Sequence, residues 1–255
     1  MVPFAAVTYK MTSSVNDLGT EFARQEIRGL EYYAPLLTLL KNLQLHRGMA
    51  SAALSGDQSF KDSLAGKAAD VENDIRRVNE VNERLKSALR VGDKWMSLSA
   101  ATRDLLSKTS GLSVEASFQQ HTNVIKDAIA LIAEVSDASN LTLDPDLDSY
   151  YLMNVLMFQG PELSELLAQA RDQGTGVAVT KKPTPAQLES LRRFATLSDF
   201  MQKKVDESLS KAAKSNEALR AQLEARARVD SRAIEDAAAR VLTTSASDYF
   251  GLMSR

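Results

Sequence analysis

The sequence contains no cysteine and only two histidines, which removes most familiar catalytic and metal-binding chemistry. Without thiols there is no disulfide, no thiolate nucleophile and no cysteine-ligated zinc site. Glycine (11) and proline (6) are scarce in a chain of 255 residues, which argues against a turn-rich β protein. The 31 basic residues nearly balance the 33 acidic ones, so the whole chain has no basic footprint for nucleic acid.

Long apolar runs are also missing. The longest unbroken ones, such as residues 128–133 and 155–158, fall far short of the roughly 20 residues that cross a membrane. The N-terminal segment is too short and too polar for a signal peptide. The last residues remain compatible with a helix and show no C-cap, so we expect the chain to be a segment of a longer protein.

Apolar residues recur at helical spacing along almost the whole chain. Between residues 64 and 89 they follow an a/d heptad with one polar member, Asn82. Phe118, Ile125 and Ile132 repeat every seven positions, and His121 follows three residues after the first of them. Alternation with a period of two is never sustained, so we expect no strands.

Capping residues mark where the helices begin. Thr184 precedes a proline and is followed three residues later by Gln187, which is a capping box. Asp144 before Pro145 is interpreted in the same way, and Pro161 is taken as another helix start. The predicted helices span residues 5–54, 58–90, 93–108, 113–138, 145–159, 161–173, 184–214 and 216–255.

The longest predicted helices set the expected architecture. Helices of 30 to 50 residues would be about 45–75 Å long, and such helices are stable in water only when packed side by side. We therefore predict an all-α fold, an elongated double helical bundle in which two stacked four-helix modules share long first and last helices. Residues 1–255 would form one helical region, with both termini emerging at the same end.

Arg47 stands in an apolar helical seam. Its face also carries Tyr33, Leu36, Leu40, Leu43, Ala50 and Leu54. A guanidinium group cannot shed its charge, so it needs an anionic partner, either a carboxylate of the protein or a bound anion. Both alternatives stay open. The adjacent His46 is either a packing residue or a ligand, and Gly48 would allow close approach of another backbone or a ligand.

The aspartates at 144, 146 and 148 resemble the opening of a calcium-binding EF-hand loop. The pattern fails further on, because the sixth position is Ser149 rather than glycine and the twelfth is Val155 rather than glutamate. Aspartates at the start of a helix serve equally well as caps and as partners of the helix dipole. We therefore predict no calcium site.

Further candidates for a binding site lie in the second half of the chain. Asp148 and Tyr151 fall on one helical face, which either pairs with Arg47 or contributes to a pocket, and Tyr150 lies beside them. Arg171 borders an apolar stripe that begins at Pro161. Its alternative interpretation is an exposed arginine near a helix C-terminus.

Enzyme motifs were not found. Helical bundles with a di-metal site use Glu-x-x-His pairs, but Leu43 precedes His46 and Phe118 precedes His121 by three residues. Phosphate-binding glycine loops, metalloprotease motifs and nucleophile elbows are missing as well. We predict a protein that is not an enzyme and that carries no metal and no cofactor.

Two blocks of the sequence resemble bacterial all-helical sensor domains. The first is EYYAPLLTLL at residues 31–40, followed by QLHRG at 44–48. The second is LDPDLDSYYLM at 143–153, followed by PEL at 161–163 and Ala-Arg at 170–171. The chain is similar, over about residues 15–255, to nitrate- and nitrite-sensing domains and to helical bimodular sensors. Both are double four-helix bundles, found in chemotaxis receptors, diguanylate cyclases and histidine kinases.

The resemblance implies a periplasmic sensing domain of a transmembrane receptor of the methyl-accepting chemotaxis type. Transmembrane helices would flank it, and it would act as a homodimer. Ligand binding would displace the first or last helix, which requires both termini at one end. The alternatives are a soluble regulator with a nitrate-sensing module fused to an RNA-binding output, and a purely structural or protein-interaction bundle.

The resemblance also implies a small anion such as nitrate or a carboxylate as the ligand, with Arg47 as its main partner. The family signature Glu-Arg-Gly is His-Arg-Gly here, which removes a carboxylate beside the arginine and could change the ligand. The expected ligand-binding residues are Arg47, His46, Tyr33, Asp148, Tyr150, Tyr151 and Arg171.

Overall fold

A computed structural model describes the backbone of residues 2–143, 145–226 and 245–254, and the side chains of 19–143, 145–223 and 245–254. Within these ranges the fold is all-α, as predicted, and contains no strand. The α-helices are α1 (Val2–Leu54), α2 (Lys61–Leu89), α3 (Gly92–Lys108), α4 (Val114–Ala138), α5 (Leu147–Asn154), α6 (Gly160–Thr180), α7 (Pro185–Ser215), α8 (Glu217–Arg226) and α9 (Ala246–Leu252). None of these described helices is both long and apolar enough to cross a membrane.

The capping box at the start of α7 is confirmed. The Thr184 hydroxyl accepts a hydrogen bond from the Gln187 backbone N–H (3.2 Å), and the Gln187 side chain accepts one from the Thr184 N–H (2.9 Å). Helix α4 begins similarly, with the Ser113 hydroxyl accepting from the N–H of Ala116. Each cap satisfies backbone donors that a helix leaves unpaired in its first turn.

The predicted helix at 161–173 starts within one residue of α6, which begins at Gly160, but its predicted end is wrong. The chain passes from α5 into α6 through a π-helical turn, Val155–Gln159, rather than restarting at Pro161. Pro161 has no N–H to donate, and a widened turn accommodates the missing bond. At the other end α6 runs past Gly174 to Thr180 and ends where Lys181 adopts a left-handed conformation (φ 54°).

Two other predicted helix limits are also wrong. Helix α5 begins at Leu147 after Asp146, whose side chain makes no capping bond, while Asp144 lies outside the described residues. The predicted last helix, 216–255, is interrupted at Ser245, which is extended and caps α9 by accepting from the Asp248 N–H (3.1 Å). Residues 227–244 lie outside the described ranges.

The larger hydrophobic core lies among α1, α2, α3 and α4. The heptad seam of α2 is confirmed, since Val71, Ile75, Val78, Leu85 and Leu89 are buried. Its polar member, Asn82, is also buried and accepts a hydrogen bond from the Tyr32 hydroxyl (3.0 Å). The seam therefore tolerates a polar residue because α1 supplies its partner.

The C-terminal part of α1 packs against α6, which also contacts α7 and α9. A smaller apolar cluster fills this region and includes Ala52, Phe60, Val177, Ala178, Ala246, Tyr249 and Phe250. The ring of Phe250 lies directly against Gly48.

The position of α9 tests the prediction that both termini emerge at the same end. Because Phe250 is beside Gly48, α9 lies near the end of α1, whereas Val2 is about 70 Å away along the helix axis at 1.5 Å per residue. The expectation that both termini emerge at one end is therefore wrong for the described ends. The stacking of two four-helix modules remains a prediction.

Candidate functional site

Arg47 is fully buried (0% exposed) in the contact between α1 and α6. Its Nε donates to Asp172 Oδ2 (2.7 Å), and its Nη1 and Nη2 donate to the two carboxylate oxygens of Glu165 (2.5 and 3.2 Å). Nη1 also donates to the Thr122 hydroxyl (3.2 Å), and the Phe118 ring lies 5.0 Å from the guanidinium carbon. Of five guanidinium N–H donors, four are therefore used within the protein.

The two carboxylates that hold Arg47 come from one helix. Glu165 and Asp172 are seven residues apart on α6, so two helical turns place them on the same face toward α1. Both are buried. Neither was among the expected site residues, although their spacing of seven residues, which places two carboxylates on one helical face, is a signal that could have identified them.

Arg171 joins the same cluster from α6. Its Nε donates to Asp172 Oδ1 (2.9 Å) and its Nη2 donates to the Gln44 carbonyl (2.6 Å). Nη2 is also in ion-pair contact with Asp172 Oδ1 (2.8 Å). Its guanidinium carbon lies 4.7 Å from the centre of the Phe250 ring. The alternative of an exposed arginine is wrong, because α6 continues for more than two turns beyond Arg171 and buries it.

Arg47, Arg171, Glu165 and Asp172 together form what we call the arginine cluster, with two positive and two negative charges. Burial by itself lowers the pKa of Arg47, but attraction to Asp172 and Glu165 outweighs it and raises that pKa above its ordinary value. Arg47 therefore stays charged. Gln44 and Gln169 donate to Glu165 (3.1 and 2.7 Å), which supplies the extra hydrogen bonds that a buried ion pair needs.

The question left open by the sequence thus has an answer in this structure, since the partners of Arg47 are protein carboxylates. The prediction that the face of Asp148 and Tyr151 pairs with Arg47 is wrong. Asp148 instead accepts a hydrogen bond from the Asn216 side chain (2.8 Å). The Asn216 bond lowers the pKa of Asp148.

His46 belongs to a separate buried pair beside the cluster. Its Nδ1 lies 2.7 Å from His121 Nε2, and His121 Nδ1 lies 2.7 Å from the Ser117 carbonyl oxygen. A carbonyl only accepts, so His121 carries its proton on Nδ1 and accepts the proton of His46 Nδ1. Burial lowers the pKa of His46 to about 3 and that of His121 to about 4. Both rings are neutral at pH 7 and hold α1 to α4.

Tyr33 is remote from the arginine cluster. It lies on α1 about 21 Å from Arg47 along the helix axis. Its hydroxyl donates to the Leu156 carbonyl (2.8 Å) within the π-helical turn. Burial raises the pKa of Tyr33 to about 12. The prediction that Tyr33 shares a binding site with Arg47 is therefore wrong. Its hydroxyl instead donates a hydrogen bond to a backbone carbonyl of the π-helical turn.

The tyrosines of α5 are also kept away from Arg47. Helix α5 packs against α7. The rings of Tyr150 and Tyr151 meet edge to face, with 5.2 Å between ring centres. The Lys211 ammonium lies 5.1 Å from the centre of the Tyr151 ring. The structure therefore brings together only Arg47 and Arg171, with His46 next to them, out of the expected ligand-binding residues.

Two open clefts border the arginine cluster, one lined by Asp172 and the other by Glu165. The Asp172 cleft has a volume of about 790 Å³, and its lining includes Ser51, Phe118, Asp172, Gln173, Thr184 and Arg193. The Glu165 cleft has a volume of about 550 Å³, and its lining includes Ile129, Ala133, Met157, Phe158, Glu165 and Leu166. The surface of the first is about half polar, and that of the second is mainly apolar.

Ser51 brings a buried hydroxyl group to the lining of the Asp172 cleft. Its side chain is buried (4% exposed), and its hydroxyl has no hydrogen-bond partner among the described residues. Buried polar groups are normally paired, so such a group at a cleft wall points to a missing partner. No three histidine or acidic side chains come together as metal ligands in the described part of the chain.

A family model described as nitrate and nitrite sensing matches residues 38–255, which include every member of the arginine cluster. Comparison with curated proteins and with solved structures found no match.

Proposed function

This chain belongs to the nitrate and nitrite sensing family, and we propose that it binds its small anion at the arginine cluster. The observation that supports this site is the convergence of two guanidinium groups, those of Arg47 and Arg171, on one buried position. Planar oxyanions accept paired N–H groups of arginine as carboxylates do. The family is one of sensing domains, which favours ligand binding over catalysis.

We propose that the signal leaves the site through α9. Arg171 is in contact with Phe250 of α9, and Tyr249 packs against Gly174, one turn further along α6. A change in the position of Arg171 therefore acts directly on α9. Movement of α9 would be a displacement within the predicted last helix, 216–255.

The cellular setting is a further part of the proposal. The resemblance to chemotaxis receptors supports the proposal that this chain is the periplasmic sensing domain of a membrane-bound homodimer. The alternative is a soluble regulator that carries the same sensing module. Sequencing the complete gene distinguishes them, because a receptor has an apolar segment of about 20 residues on each side.

Isothermal titration calorimetry with nitrate, nitrite and acetate, in a chloride background, tests the binding proposal. We expect saturable binding that is lost in Arg171→Gln and in Arg47→Lys, since a lysine cannot reproduce the fork of N–H donors. Arg84→Gln is the matched control, because Arg84 pairs with Glu31 at the surface. Absence of binding to wild-type protein across the panel would contradict the proposal.

The pairing of four of the five Arg47 N–H donors within the protein favours a second candidate function, a structural or protein-interaction bundle. In that case the cluster only joins α1 to α6, and no anion stabilises the fold. Thermal denaturation separates the two, because a ligand at 100 times its Kd adds about 2.7 kcal/mol of stability. Unchanged melting temperatures with every anion would favour the structural function.

A further inference from the structure

The carboxylate of Asp172 lies where an anion would bind. One of its oxygens accepts a hydrogen bond from Arg47 Nε (2.7 Å), and the other accepts one from Arg171 Nε (2.9 Å) and forms an ion-pair contact with Arg171 Nη2 (2.8 Å). Asp172 is 2% exposed. A carboxylate presents two oxygens in a plane, as one edge of nitrate or nitrite does. Asp172 and an oxyanion therefore cannot occupy the position between the two arginines together.

We propose that Asp172 is an internal competitor, whose carboxylate fills the anion site until the ligand displaces it into the Asp172 cleft. The inference rests on the proposed function, because it concerns the same site. Asp172 already lines that cleft, which is open and large enough, at about 790 Å³, to hold the displaced carboxylate in water. The Asp172 side chain is itself buried (0% exposed), so displacement requires it to turn away from Arg47 and Arg171 and into the cleft.

Glu165 is the less suitable carboxylate to displace. It accepts two hydrogen bonds from Arg47 and one each from Gln44 and Gln169. Displacement would break these bonds and move the charge toward the mainly apolar Glu165 cleft. Removing a charge from its partners without solvation is costly. The geometry thus selects Asp172 as the group that moves.

The replacement of the Asp172 carboxylate by an anion also limits the net charge that the ligand can carry. When Asp172 moves into solvent and a monovalent anion replaces it, the buried charges remain two positive and two negative. A divalent anion would leave one uncompensated negative charge in the buried site, which is unfavourable. The ligand class is therefore a planar monovalent oxyanion, such as nitrate, nitrite or a short monocarboxylate, and it excludes sulfate.

Ser51 supplies a further hydrogen bond in this arrangement. Its buried hydroxyl, which has no partner among the described residues, lines the same cleft as Asp172. It can donate to the bound anion or to the displaced carboxylate. Either acceptor would pair a hydroxyl that has no partner among the described residues.

Calorimetry on Asp172→Asn tests the inference with nitrate, nitrite, acetate and sulfate. We expect the monovalent anions to bind the variant about tenfold or more tightly than wild-type protein, a difference of about 1.4 kcal/mol, because the competing charge is gone. The ligand-free variant should melt at a lower temperature than wild-type protein, and nitrate should restore it while sulfate should not. Asp74→Asn is the matched control, because Asp74 is equally buried but lies on α2 and pairs with Asn42.

Each outcome has a defined meaning. Weaker or equal nitrate binding by Asp172→Asn, with binding by wild-type protein, would overturn the competitor and leave the proposed function intact. A variant that folds only with nitrate supports the competitor, whereas one that folds with neither nitrate nor sulfate overturns it. Nitrate binding by neither protein would refute the proposed function itself. Equal gains for sulfate would overturn the charge argument.

Discussion

Lowering the pH from 7.5 to 5.5 should destabilise the folded protein by about 3 kcal/mol through the two buried histidines. An unfolded histidine has a pKa of about 6.5. In the fold, burial lowers the pKa of His46 to about 3 and that of His121 to about 4. Between these values and 6.5 the unfolded chain binds protons that the folded chain does not. Stability is therefore complete above pH 6.5 and decreases as the pH falls.

The magnitude follows from the size of the shifts. At pH 5.5 an unfolded histidine is about 90% protonated, whereas the buried ring is neutral, so each one lowers the free energy of unfolding by about 1.4 kcal/mol. The chain has only two histidines, so no other histidine side chain titrates in this range. Most carboxyl groups, with pKa values near 4, titrate below it.

Urea denaturation at pH 7.5, 6.5 and 5.5 measures the effect. Trp95, the only tryptophan, is buried (1% exposed) and reports unfolding by fluorescence. His46→Gln should reduce the pH dependence to about half, because His121 still titrates. A free energy of unfolding that stays constant between pH 7.5 and 5.5, at constant m-value, would refute the reasoning.

Three single substitutions test the packing of α6 and α7. Gly174→Ala should lower the melting temperature despite alanine's higher helix propensity, because a methyl group there would overlap the Tyr249 ring. Gly176→Ala on the same helix has open space and should stabilise by about 0.5–1 kcal/mol, a rise of about 1–4 °C. Equal effects of the two glycine substitutions would contradict this packing. Thr184→Ala should cost about 1 kcal/mol, since it removes the side-chain acceptor for the Gln187 N–H, and urea denaturation that leaves stability unchanged would contradict the cap.

Local patterns were sufficient for much of the fold. The heptad of α2 and the capping box at Thr184 depend on residues that are neighbours along the chain, and both were predicted from the sequence. The same holds for the seam of α4, in which His121, Ala128 and Val135 are buried. A helical period specifies which face is buried, whatever that face packs against.

Local sequence patterns could not predict which side chains on different helices contact each other. Arg47 needed an anion, but its protein partners, Glu165 and Asp172, lie more than a hundred residues away on α6. The face of Asp148 is helical as predicted, yet it packs beside α7 rather than α1. Gly174 resembles a helix stop, although the helix continues and the missing Cβ makes room for Tyr249. These outcomes depend on tertiary contacts that a single sequence does not specify.

A double substitution determines whether the arginine cluster is retained for folding or for binding. Arg47→Met should cost about 3–5 kcal/mol, because it leaves the buried charge of Glu165 without its cation, while Asp172 keeps Arg171. Adding Glu165→Met removes that stranded charge, and buried ion pairs replaced by apolar residues are often neutral in stability. We therefore expect the double variant to be more stable than Arg47→Met alone, as measured by urea denaturation.

In the double variant, nitrate binding should not recover together with the free energy of unfolding. The double variant lacks one of the two guanidinium groups, so calorimetry should detect no nitrate binding even where the fold has recovered. Recovery of stability without recovery of binding would mean that folding does not require the cluster and that the buried charges are kept for the ligand. A double variant that is less stable than either single one would instead assign the cluster to the contact between α1 and α6, and would contradict its role as a binding site.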